Sequence, residues 1–184
     1  MPKSNNALAP EVTGVNRLVD WAVQKLDPSW FPTAGRTFVE TAQGARAPIT
    51  EANFSPAELK ALRQLVQYKG GDSGAINNYS DYAKSVEKAT GDTDVAYSPG
   101  IFSLGDPLGN IQTTLGRFKY ARDPNGDLIV VDTYDFNPIY GYGRSQEATT
   151  GGYGLLSPYA LLRNYAGEKM PPGQGRDIRI NLGK

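Results

Sequence analysis

From Thr13 onward, Val15, Leu18, Val19, Ala22, Val23 and Leu26 recur at the 3.6-residue spacing of a helix with one apolar stripe. Asp27-Pro28 stops that helix, because proline biases the residue before it away from helical backbone and has no amide to donate. Trp21, Trp30 and Phe31 gather around its end. They are expected to cap a small core, the alternative being an anchor for a partner or a membrane interface. No basic polar face accompanies the stripe, which speaks against membrane insertion. Residues 36–43 fit a short helix, followed by an irregular linker through Pro48. A stronger start stands at Ser55-Pro56-Ala57-Glu58, with a serine to accept from first-turn amides, a proline suited to the first helical position and a glutamate to close a capping box. Leu59, Leu62, Leu65 and Val66 then line one face, and Gly70-Gly71 ends the helix. Another helix is expected near Ser80, with Tyr82 and Val86 inward and Gly91 closing it.

The period changes after residue 91. The segment from Gly91 to Pro107 is rich in Gly, Pro, Asp and Ser and reads as a linker or a long surface loop. Gly116 to Arg122 alternates, with Phe118 and Tyr120 on one side and Lys119 opposite. Asp123-Pro124-Asn125-Gly126 is a turn signal with Asn-Gly suited to positive φ, and a strand from Asp127 to Tyr134 completes a β-hairpin. A Gly/Tyr-rich stretch from Asn137 to Tyr159 precedes a helix that starts at Ser157-Pro158, buries Leu161, Leu162 and Tyr165, and ends at Gly167. After Pro171-Pro172-Gly173, Ile178, Ile180 and Leu182 alternate with Asp177, Arg179 and Asn181 as a half-buried strand. The expected fold is α+β: a helical N-terminal half packed on a β-rich part with a hairpin (about 116–135), one helix (about 158–166) and a terminal strand (about 176–182). The corresponding divisions are a flexible arm (1–13), a helical subdomain (14–91), a linker (92–107) and a β-rich subdomain (108–184).

Composition narrows the chemistry. Histidine and cysteine are both absent from the 184 residues, so there is no Ser-His-Asp triad, thiol nucleophile, imidazole base or ordinary zinc site. Any catalysis rests on Asp, Glu, Lys, Tyr, Ser or a carboxylate-held metal. The 19 basic side chains balance 19 acidic ones without a basic stripe, so a nucleic-acid partner is not expected. The longest aliphatic run, Leu128-Ile129-Val130-Val131, is far short of the roughly 20 residues that span a bilayer. Residues 1–14 lack the apolar centre of a signal peptide. A soluble protein of the virion or the host cytoplasm, without a membrane span, is the expectation.

Two stretches imitate sites. Asp123-x-Asn125-x-Asp127 resembles the start of a calcium loop, but Leu128 stands where the glycine belongs and Tyr134 where the bidentate glutamate belongs, so a plain turn is expected. In Asp132-Thr133-Tyr134-Asp135-Phe136-Asn137-Pro138, two carboxylates and a phenol emerge at the end of an apolar strand, ahead of Tyr140, Tyr142 and Arg144. Close carboxylates raise one another's pKa, so the pair suits acid–base work or Mg²⁺. Equally, a strand end explains them, with Asp135 or Asn137 bonding the turn and Tyr134 packing.

The run Asp132-x-Tyr134-Asp135 resembles the catalytic signature of the colicin M-type bacteriocins, in which Asp-x-Tyr-Asp is followed after five residues by His-Arg. The resemblance covers about residues 105–150. It implies a compact β-rich domain that hydrolyses lipid II with Mg²⁺, releasing the pyrophosphoryl disaccharide head. Asp132, Tyr134 and Asp135 match; the His-Arg positions fall on Gly141 and Tyr142, and Arg144 lies two residues beyond the arginine position, behind Gly143. Under this reading Asp132, Tyr134, Asp135 and Arg144 form the catalytic set, and Mg²⁺ sits on Asp132 and Asp135.

The missing histidine favours a different expectation: a non-catalytic, virion-associated or assembly protein, in the general style of tailed-phage proteins. It would need no cofactor and would act through protein partners such as other virion proteins, with homo-oligomerisation compatible. Residues 134–159 hold five of the eleven tyrosines, and Tyr140, Tyr142 and Tyr153 are its expected contact residues. A third reading is an inhibitor or regulator that binds one host protein through the same loop.

Overall fold

Among the described residues three α-helices begin on proline, where a missing amide costs nothing because the first turn has no carbonyl to receive it. A computed structural model of the chain describes residues 10–76, 81, 82, 84, 106–135, 165–171 and 173–184, with side chains in the first helix from residue 17 onward. Helix α1 spans Pro10–Val23, α2 Thr33–Ala42, α3 Pro56–Tyr68 and α4 Pro107–Leu115, with short 3₁₀ turns at Pro28–Trp30 and Glu51–Asn53. At the start of α3 the expected capping box is formed. The Glu58 amide donates to Ser55 Oγ at 3.3 Å, and the Ser55 amide donates to Glu58 Oε2 at 2.6 Å. The same buried carboxylate oxygen accepts from Thr33 Oγ1 at 2.9 Å, which fixes the start of α2 against α3.

Among the described residues four strands form one antiparallel sheet in the order β1 (Ser73–Ile76), β2 (Phe118–Arg122), β3 (Leu128–Tyr134) and β4 (Arg176–Asn181). The β2–β3 hairpin turns as its sequence requires. Asp123 Oδ1 accepts from the amides of Asn125 (2.8 Å) and Asp127 (3.0 Å), and only Gly126 takes a positive φ, 83°. Asp127 belongs to the turn, its carbonyl accepting from the Asp123 amide, so β3 starts at Leu128. The inner face of the sheet and the helices share one core, in which Leu62, Leu65 and Ile111 meet Tyr120, Val130 and Ile180. The fold is α+β. No helix among the described residues is long and apolar enough to cross a membrane.

Several elements differ from the sequence expectation. Helix α1 starts at Pro10, inside the segment expected to be an arm, and ends at Val23. The Gln43 amide group there donates to the Val23 and Leu26 carbonyls at 2.9 and 2.8 Å, satisfying acceptors that a longer helix would have used. Val23 is buried, but Leu18 is 66% exposed and is no part of a buried stripe. Trp21 and Trp30 do not cap the core: they are 65% and 70% exposed. Of the three aromatics only Phe31 is half-buried, lying so close over Gly35 that a side chain there would clash. Helix α2 begins three residues earlier than expected. Strand β1 and helix α4 were not expected at all. Gly167 does not end its helix; residues 165–169 are helical and the Met170 amide reaches the Ala166 carbonyl at 2.8 Å. Residues 81, 82 and 84 are helical, and buried Tyr82 donates its hydroxyl to the Gly116 carbonyl at 2.8 Å. Val86, Gly91, residues 92–105, the Gly/Tyr-rich stretch and the beginning of the helix expected at 158–166 lie outside the described residues.

Candidate functional site

The period of two in β3 puts Leu128, Val130, Asp132 and Tyr134 on one face, the one turned to the core. Asp132 pairs across with Ile178, Thr133 with Asp177 and Tyr134 with Arg176. Tyr134 is 3% exposed, and burial pushes its phenol well above the usual range, with the Arg176 charge acting in the opposite direction. The Arg176 guanidinium is itself buried. It donates from Nε to the Ala47 carbonyl at 2.7 Å and from Nη1 to Thr41 Oγ1 at 3.2 Å, and Nη1 lies 3.4 Å from Glu40 Oε2. In the sequence the one signal of this arginine's placement is the inward parity it shares with Ile178 and Ile180.

Asp135 lies just past β3 and turns to the connector before β4, where its Oδ2 accepts from the Gly173 amide at 2.7 Å. The chains approach closely here. A Cβ on Gly175 would collide with the Tyr134 carbonyl oxygen, so only glycine fits. Asp132 remains half-buried. Burial pushes its carboxyl up to about 6; the Thr133 amide opposes this, the Asp135 charge adds to it and the Lys119 charge opposes it. Asp132 borders an open cleft of about 510 Å³ with Arg117, Lys119, Val131, Thr133 and Ala75. The structure therefore sends the three signature residues to different surroundings: Tyr134 to the core, Asp135 to a turn and Asp132 to a cleft. Arg144, Tyr140, Tyr142 and Tyr153 lie outside the described residues.

Among the described residues no three acidic side chains converge as a metal-holding group. The calcium-like turn is a hairpin turn, since Asp123 is occupied by backbone amides and Asp127 Oδ2 accepts from Asn181 Nδ2 at 3.2 Å.

A second candidate surface lies on the helices. Leu18 and Trp21 are three residues apart and share one side of α1. The helix is held from the far end of the chain. Asp20 Oδ1 accepts from the Tyr165 hydroxyl and from Lys169 Nζ, each at 2.9 Å. The Lys169 hydrogen bond, followed by that of Tyr165, holds the Asp20 carboxyl below its ordinary value. No protein-family model, no curated protein and no solved structure matches this chain. The likeness to the colicin M-type signature thus rests on Asp132, Tyr134 and Asp135 themselves.

Proposed function

We propose that this chain is a non-catalytic protein that acts through protein–protein contacts, as a virion-associated or assembly component. The observation that carries the reading is the exposed apolar surface of α1 and the turn after it: Leu18, Trp21 and Trp30 all stand largely in solvent. Large apolar side chains exposed one turn apart are informative where scattered ones are not. Tryptophan is also the residue type most enriched among those that dominate interface energetics. The surroundings of the Asp-x-Tyr-Asp run support the same reading. A phenol inside the core meets no substrate, and the Asp135 carboxylate is engaged by the Gly173 amide.

One observation favours a second reading, a Mg²⁺-dependent hydrolase of lipid-linked pyrophosphate. The Asp132 carboxyl, poised near 6, borders a cleft that also holds Arg117 and Lys119. In that reading one of Asp132 and Asp135 would hold the metal, the other would activate water and Arg144 would balance phosphate charge.

The two separate experimentally. A photoreactive benzoyl-phenylalanine in place of Trp21 is expected to give a discrete adduct with another particle protein during assembly. The same group in place of Thr113, exposed on α4, is expected to give none. Release of head group from lipid II with Mg²⁺, abolished by Asp132→Ala, together with no adduct at position 21, would overturn the proposal.

A further inference from the structure

The two edges of the sheet are treated differently. The β4 edge is sealed by the chain ahead of α3. The Ile49 amide donates to the Asp177 carbonyl at 2.8 Å, the Arg179 amide to the Ile49 carbonyl at 2.9 Å and the Asn181 amide to Glu51 Oε2 at 3.1 Å. Among the described residues the β1 edge has no such cover. Among the described residues β1 pairs with β2 alone, and Ser73 and Gly74 are exposed. An unpaired edge presents a row of backbone donors and acceptors to any extended chain.

The side chains beside this edge carry a sign. One row crosses the outer face of the sheet, Ala75 opposite Lys119, Lys119 opposite Val131 and Val131 opposite Arg179. Lys119 and Arg179 are exposed, and Arg117 lines the same cleft as Lys119 and Ala75. The carboxyl of that cleft, Asp132, belongs to β3, two strands in from the edge, and Asp72 ahead of β1 is bonded to Arg122 at 2.8 Å. Among the described residues only the methyl group of Ala75 stands between the edge and Lys119. A strand added to β1 would lie about 5 Å away, placing a residue opposite Ala75 roughly 10 Å from the Lys119 backbone. An ammonium and a carboxylate can close that gap over a methyl group. On the inner face β1 offers Gly74, where the Tyr120 hydroxyl occupies the space of a side chain, and the buried Ile76. Apolar side chains of an added strand would extend this face.

We propose that an extended partner segment of alternating acidic and apolar residues adds to β1 as a fifth strand, its carboxylates over Ala75 meeting Lys119 and Arg117. The proposal rests on the protein-contact reading above and names the chemistry of one partner. Backbone pairing supplies the affinity and the alternate side chains the selectivity, as in other strand-addition interfaces.

The test uses the full chain and three labelled eight-residue probes: alternating Val-Glu, alternating Val-Lys, and Val-Glu N-methylated at every second residue so that one edge cannot pair. Fluorescence anisotropy is expected to show binding of the Val-Glu probe alone, weakening as salt rises. Lys119→Glu, on an exposed side chain, should leave the protein folded, with a melting temperature lowered only by the lost attraction to Asp132, weaken the Val-Glu probe at least tenfold and improve binding of the Val-Lys probe. Amide exchange at Ser73–Ile76 should slow with the Val-Glu probe bound. No binding of the Val-Glu probe, equal binding of the N-methylated one, or an affinity indifferent to Lys119→Glu would each overturn strand addition. An adduct at position 21 alongside any of these results leaves the broader protein-contact reading standing; failure of both removes both.

Discussion

At the scale of single residues, Asp132 carries the clearest tension between sequence and surroundings. It follows Leu128 and Val130 on the inward face of β3, and burial lifts its carboxyl from an ordinary 3.8 to about 6. The folded state therefore holds this proton more tightly than the unfolded chain does. Its contribution to stability is full below about pH 4 and is lost as pH rises through about 6. A tenfold difference in proton affinity corresponds to ~1.4 kcal/mol, but the group is half-solvated, so about 1–2 kcal/mol is the expected effect. Asp132→Asn should thus stabilise the protein by roughly that amount at pH 7.5 and leave it unchanged at pH 4, as read by urea denaturation at both values. Equal gains at the two pH values would assign the effect to packing. The sequence left Tyr134 and Asp135 with two readings because a period of two says which face a residue takes, and says nothing of what awaits it there. Only the pairing of β3 with β4 brings Gly173 to Asp135 and Arg176 opposite Tyr134.

At the scale of elements, Arg176 ties β4 to the end of α2 and the segment after it through Thr41, Glu40 and Ala47. Arg176→Met would keep much of the apolar volume but leave the Ala47 carbonyl without that donor and Glu40 without its cation. A loss of about 2–4 kcal/mol is expected. Arg176→Lys should lose less, since it keeps the charge without the planar fork. A change below about 0.5 kcal/mol in chemical denaturation, the level of an ordinary surface substitution, would show that the network contributes nothing net. Elements whose signals are local were legible in sequence: the capping box at Ser55–Glu58, the hairpin around Gly126 and the alternating terminal strand all formed. Strand β1 was not legible, because Ser-Gly-Ala-Ile has no readable period and forms a strand by pairing with β2 and burying Ile76. Helix α4 was hidden by Gly109, Asn110, Thr113 and Thr114, poor helix formers, two of which, Asn110 and Thr114, are buried polar residues. Its start signal was nonetheless present: Asp106 Oδ2 accepts from the Gly109 amide at 2.8 Å, with Pro107 in the first turn.

At the scale of the whole molecule, the Asp20, Tyr165 and Lys169 cluster joins helix α1 to residues near the other end of the chain. Lys169 lies 5.7 Å from the Tyr165 ring centre, so one cation serves both the carboxylate and the ring. The Asp20 carboxyl is held below its ordinary 3.8, so the stability it contributes is present above that value and is lost as pH falls through the lower folded value. This direction is opposite to that of Asp132. Lys169→Met should therefore destabilise the protein by about 0.5–1 kcal/mol at neutral pH, the range of a partly exposed ion pair, with the difference shrinking below about pH 4. Amide exchange locates the effect. Protection in Pro10–Val23 should fall in the variant while that of the β2–β3 hairpin stays unchanged. Unaltered protection along α1 would mean that Gln24 and Gln43, which bond the Ala42, Val23 and Leu26 carbonyls, suffice to hold the helix. Loosening confined to α1 would instead link this cluster to the surface of Leu18 and Trp21, because a contact face presented on a helix keeps its geometry only while the helix is held.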